Sequence, residues 1–99
     1  MLHIVSESLL ETAILERYRT RIGDGHSVLL IEDAVLAVQP DCAVASLLDT
    51  IMAQLQLFVL SEDLLVRGIS LNQLEGKIEP VNYAGFVDLV AEHKQVQSW

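Results

Sequence analysis

Short apolar runs alternate with helical stripes along the chain. Leu2–Val5, Val28–Ile31, Leu55–Leu60 and Ile78–Val81 read as strands, three of them short, apolar and partly β-branched. Continuous runs without polar alternation are the pattern of strands covered on both faces. Between the first two, Leu9, Leu10, Ala13, Ile14 and Tyr18 recur at helical spacing, with Ser6 or Ser8 as the expected cap. Gly23-Asp24-Gly25 then ends that helix. A second stripe, Val44, Leu47, Leu48, Ile51 and Met52, follows the start signals Pro40 and Asp41. Asp63 to Arg67 reads as a short helix with Asp63 as its candidate cap and Gly68 as its closing C′ glycine. A last helix is expected from about Tyr83 to Glu92, and the alternating tail Gln95–Trp99 suits an edge strand.

The order β-α-β-α-β-α-β-α, with a final β, predicts a single three-layer α/β/α domain over residues 1–99. Its sheet is expected to have four to five mostly parallel strands. Three polar clusters then fall just beyond strand ends: Ser6-Glu7-Ser8, Glu32-Asp33 and Ser61-Glu62-Asp63. The carboxyl edge of an open α/β sheet is where ligands and partners bind. It is also where helices begin, and acids are favoured there by unpaired N–H groups and the helix dipole.

Charge and composition narrow the function. The 99 residues carry 14 acids against 6 bases, a net charge of −8. Direct nucleic-acid binding and anionic membrane surfaces both call for the opposite sign. Arg17, Arg19 and Arg21 form one small basic cluster, read as a solvated helix end. Hydrophobic residues make up 52%, and mean hydropathy is +0.40. A chain this small has little interior for so many, so part of its apolar surface is expected to be covered by other chains. Apolar runs of about five residues fall far short of the ~20 needed to span a bilayer. One cysteine, Cys42, and no signal-peptide pattern suit a soluble chain in a reducing cytoplasm.

Candidate chemistry is sparse. A receiver-type phospho-acceptor site needs an Asp ending a central strand and a late Lys, and neither Lys77 nor Lys94 fits. Glu32, Asp33 and Asp63 share an edge, but no ligand-spaced motif supports a metal there, and none is expected. His3, His26 and His93 are dispersed, with His3 read as a hydrogen-bonded core residue. No phosphate-binding or nucleophile-elbow motif occurs, and no cofactor is expected. Cys42 is the one candidate nucleophile, placed near a helix start where a thiol pKa falls, yet beside Asp41 and without a visible base. Trp99 at the end of the sequence calls for cover, by packing or by an interface.

The blocks MLHIV, VLLIEDAVLAV, LFVLSEDLLVRGI and VNYAGFVDLV, with the closing QSW, resemble the TusB/DsrH family. The likeness runs over nearly the whole chain and is weakest at Arg17–Asp24 and Pro40–Gln54. It implies a DsrE/DsrF/DsrH-like fold and a small cytoplasmic subunit of a sulfur-relay complex. TusB-like chains join TusC-like and TusD-like subunits in a heterohexamer, which passes persulfide sulfur from upstream to downstream carriers toward 2-thiolation of wobble uridine in tRNA. In that pathway the persulfide-bearing cysteine belongs to the TusD-like subunit. DsrH-like relatives sit in an analogous complex in sulfur oxidation, and some carry a cysteine on the first helix. The matching stretch here, SESLLETAILERYRTRIG, has none, so that cysteine does not map onto Cys42. The resemblance therefore implies a non-catalytic, TusB-like subunit, with sulfur carriage on Cys42 or a DsrH-like role as the alternatives. Glu32, Asp33, Glu62, Asp63, Arg67, Tyr83 and Trp99 are the expected strand-end and interface residues.

Overall fold

Each apolar run becomes a strand of one parallel sheet. The computed structural model describes residues 1–10, 12–23, 25–39, 50, 55–74 and 78–99. The strands are β1 (Leu2–Val5), β2 (Ser27–Leu30), β3 (Gln56–Leu60), β4 (Ile78–Val81) and β5 (Val96–Ser98), in the order β4-β3-β2-β1-β5, every pair parallel. Every residue of β1 and β2 is buried, as continuous apolar central strands require. Helices α1 (Thr12–Arg21), α2 (Ser61–Val66) and α3 (Tyr83–Glu92) join them, with 3-10 segments at Glu32–Val38 and Leu71–Gln73.

The direction of winding decides which face each helix covers. From β1 the chain steps outward through β2, β3 and β4, then crosses back to place β5 on the far side of β1. Right-handed crossovers in opposite directions put their helices on opposite faces. Accordingly, Val5, Val28, Leu30, Leu57 and Val59 pack with Tyr18, Leu64 and the apolar positions of the first 3-10 segment. On the other face Leu2, Ile4 and Leu29 pack with Leu89 and Phe86 of α3. Helix α3 is capped by Asn82, whose side chain accepts from Gly85 N at 2.9 Å. Helix α2 closes on Gly68 at φ 71°: Gly68 N–H donates to Leu65 O and Ile69 N–H to Leu64 O, the paired bonds of a Schellman motif.

Two local expectations are corrected, at the first helix and at Asp63. The first helix starts at Thr12, so Ser6 and Ser8 lie too far upstream to cap it, and Leu9 and Leu10 precede it. Ser6 instead donates to the Trp99 carbonyl at 3.1 Å. The run Ala34–Val38 after the second strand is a 3-10 segment whose Ala34, Val35, Ala37 and Val38 are buried core. Asp63 does not cap its own helix, which begins without a side-chain cap bond. The stripe from Val44 to Met52 and Cys42 lie outside the described residues.

Candidate functional site

Parallel pairing sets the loops after β2, β3 and β4 side by side, and their polar side chains bond across to one another. Asp63 Oδ2 accepts from Glu32 N–H at 2.6 Å, so it caps the 3-10 segment after β2 rather than α2. The residue so held, Glu32, has φ 51°, a left-handed backbone that costs a non-glycine residue roughly 1–2 kcal/mol. One loop over, Glu62 Oε2 accepts from Tyr83 N–H at 3.1 Å, at the start of α3. Burial works against charge on Glu62. The Tyr83 N–H, its own N–H and the Ser61 hydroxyl together outweigh that and hold its carboxyl below the usual range.

Arg67, at the end of α2, ties the loops together. Its Nη2 donates to Asp33 Oδ1 at 3.0 Å, its Nε to the same oxygen at 3.3 Å, and its Nη1 to the Asp63 carbonyl at 3.3 Å. Its contact with Asp63 Oδ1 is looser, at 3.8 Å. Glu32, Asp33, Glu62, Asp63, Arg67 and Tyr83 are thus one strand-end constellation. In it the Asp63 and Glu62 carboxylates accept from backbone N–H groups and Asp33 pairs with Arg67, while Glu32 contributes its backbone N–H. Among the described residues, no group of three His, Cys, Asp or Glu side chains is arranged to hold a metal ion. Apolar surface adjoins the constellation: Leu65 and Val66 on α2 and Tyr83 and Val87 on α3 are exposed. Beside α2 an open groove of about 740 Å³ is lined by Ser61, Glu62, Leu64, Leu65 and Ile69, among others.

Trp99 stands apart, past the carboxyl end of β5. Its backbone N–H donates to Ile4 O at 2.8 Å, and its ring packs edge-on against Tyr18 and stacks near His3. Arg21 lies over the indole, 5.3 Å from its centroid, which gives one member of the basic cluster a packing role beside its solvated one. Tyr18 donates to Glu7 Oε2 at 2.8 Å, and burial first, then this bond, pushes its pKa up to about 12.

A model of the family described as DsrH like protein matches residues 7–96. The chain belongs to the DsrH-like family. Its relatives include Protein TusB of Enterobacter sp. (strain 638), 34% identical over 99 residues and covering all of both chains. Protein TusB of Escherichia coli (strain SMS-3-5 / SECEC) is 32% identical over 102 residues, again with full coverage of both. Protein TusB of Photorhabdus laumondii is 33% identical over 76 residues, 76% of each chain. Among solved structures, the protein of unknown function MTH1491 from Methanobacterium thermoautotrophicum superposes with a TM-score of 0.74 at 13% identity, covering 99% of this chain and 96% of that one. This likeness is one of fold.

Within the DsrH-like sheet, the sequence reading missed the contact between His3, His26 and Trp99. Trp99 Nε1 donates to His3 Nδ1 at 3.1 Å, and His3 Nε2 lies 2.9 Å from His26 Nδ1. An apolar strand with one histidine was the available signal, but nothing near it in sequence names its partners. No helix among the described residues is long and apolar enough to cross a membrane.

Proposed function

We propose that this chain, acting as one domain over residues 1–99, is a TusB-like, non-catalytic subunit of a cytoplasmic sulfur-relay complex. In this reading it assembles with TusC-like and TusD-like chains into a heterohexamer that takes sulfur from an upstream carrier. The complex hands it to a downstream carrier, supporting 2-thiolation of wobble uridine in tRNA without gripping RNA through this chain. The observation that carries the reading is the full-length likeness to proteins named TusB. Two features of the surface support it. Asp33, Glu62 and Asp63 are engaged in caps and an arginine pair, as suits a scaffold. Leu65, Val66, Tyr83 and Val87 offer apolar area for the ~1,000 Å² or more that a stable interface buries. Trp99, by contrast, is turned to internal packing.

The test is co-purification with untagged TusC-like and TusD-like chains followed by native mass spectrometry, with tRNA thiolation read as retarded migration in a mercury-containing gel. Assembly with both, and loss of the retarded band when this chain is deleted, is the expected outcome. A stable monomer that binds neither overturns the reading. Thiolation that survives deletion, in a host that oxidises sulfur, would favour the DsrH-like role instead.

A further inference from the structure

The three rings of Trp99, His3 and His26 form a hydrogen-bonded row whose polarity can be worked out from one end. An indole nitrogen only donates, so the Nδ1 of His3, 3.1 Å away, must accept and carries no proton. The ring proton of neutral His3 is therefore on Nε2, directed at His26 Nδ1 at 2.9 Å, which must accept in turn. The backbone N–H of Gly23 also points at that His26 nitrogen, at 3.3 Å. Every hydrogen in the row thus runs one way. A proton added at Nδ1 of either imidazole sets two donors face to face.

What the row holds is the outermost strand. Strand β5 is three residues long, and Val96, Gln97 and Ser98 are all exposed, so their side chains bury little. So short an edge strand is marginal on backbone pairing alone. Besides its three ladder pairs with β1 (Leu2 with Val96, His3 with Gln97, Ile4 with Ser98), it is held by Leu2 N–H to Gln95 O at 3.0 Å, Trp99 N–H to Ile4 O at 2.8 Å, the Ser6 hydroxyl on the Trp99 carbonyl, and the indole itself. The indole is the only one of these that depends on a titratable group, and His3 is 2% exposed, so water cannot stand in for a lost partner.

From this geometry we infer that His3 is a proton-sensitive clasp: neutral, it fastens Trp99 and strand β5 to the sheet; protonated, it releases them and leaves β1 as an open edge. The groups facing the row are mixed. Burial first, then His26, then the amino group of Met1 disfavour charge on His3. Arg21 above the indole adds a further positive charge. Tyr18, edge-on to Trp99, is neutral and donates to Glu7, which brings one negative charge to this side of the row. With the pKa of His3 lowered, the clasp is closed at neutral pH and opens on acidification, below the ordinary imidazole value.

Trp99 is the only tryptophan of the chain, so its fluorescence reports the clasp directly. The full chain is titrated from about pH 8 to about pH 5, with far-UV circular dichroism read on the same samples. The expected result is a reversible red shift of the emission, with a midpoint below the ordinary imidazole value of 6.5 and little change in helix and strand signal. His3→Gln, which removes the titrating imidazole and leaves a neutral amide of similar reach on the strand, abolishes the shift. Emission that stays constant over the whole range, emission and dichroism lost in one step, or an unchanged titration in His3→Gln overturns the inference. If His3→Gln does not fold, nitrogen-15 spectra of the histidine rings in the unaltered chain decide. They must show His3 protonated on Nε2 and bare on Nδ1 at neutral pH, and the opposite tautomer overturns the clasp.

Discussion

Replacing Asp63 by alanine removes the acceptor for the Glu32 N–H and leaves the strained start of the 3-10 segment unheld. A hydrogen bond to a charged group contributes about 1.5–3 kcal/mol when its donor is otherwise unpaired, and loss of a helix-start cap costs about 0.5–2 kcal/mol. The Asp63 side chain is 16% exposed. Glu32 is exposed and its N–H can turn to water, which places the loss toward the lower part of the first range. The Asp63–Arg67 contact, at 3.8 Å, adds no more than about 0.5 kcal/mol. Asp63→Ala should therefore cost about 2 kcal/mol, lowering Tm by roughly 10 °C for a domain of this size. Asp63→Asn keeps an accepting oxygen and should cost about half as much. Asp33→Ala removes only an exposed ion pair, Asp33 being 65% exposed, and should cost under about 1 kcal/mol. Urea unfolding followed by far-UV circular dichroism, with m values compared to confirm a common unfolded state, gives all three numbers. Equal losses for Asp63→Ala and Asp63→Asn, or a loss below about 0.5 kcal/mol for alanine, would refute the cross-loop cap.

Glu32→Gly should stabilise the chain by about 0.5–1 kcal/mol. That is the ~1–2 kcal/mol of left-handed strain less the ~0.5–1 kcal/mol of extra freedom glycine gives the unfolded chain; Glu32→Ala, measured in the same urea series, should show no gain. Tyr18 should ionise late, near pH 12 in an ultraviolet absorbance titration, against 10.0 for the free group. Because its folded pKa is raised, the stability it contributes is complete below pH 10 and is lost as pH rises toward 12, which denaturation at stepped alkaline pH will read. Val87→Glu places a charge on exposed apolar surface of α3, so it should leave Tm within about 1 °C and yet weaken co-purification with partner subunits if that face is an interface. Cys42→Ser should leave complex assembly and the mercury-gel shift of tRNA unchanged. Loss of the shifted band from an intact complex would assign sulfur carriage to Cys42.

The apolar runs of this sequence determined β1, β2 and β3 nearly to the residue, because a buried parallel strand is specified by its own side chains, while the edge strand β4, with Glu79 and Pro80 exposed, was marked only by Ile78 and Val81. Local chemistry also determined the closure of α2 at Gly68 and the span of α3, since caps act within a few residues of the helix end. The fate of Ala34–Val38 was not written locally. An apolar run of that length suits several conformations, and it became a 3-10 segment with its backbone held from another loop. The polar contacts were decided by tertiary structure alone. Asp63 reaches back 31 positions to Glu32 N–H, Glu62 forward 21 to Tyr83 N–H, and Trp99 back 96 to His3. Each partner is adjacent only because the strand order is β4-β3-β2-β1-β5, with β5 returned to the flank of β1. A carboxylate at a strand end announces that it will cap something. Which N–H it caps depends on the neighbouring loop, and the handedness and order of the crossovers choose that neighbour.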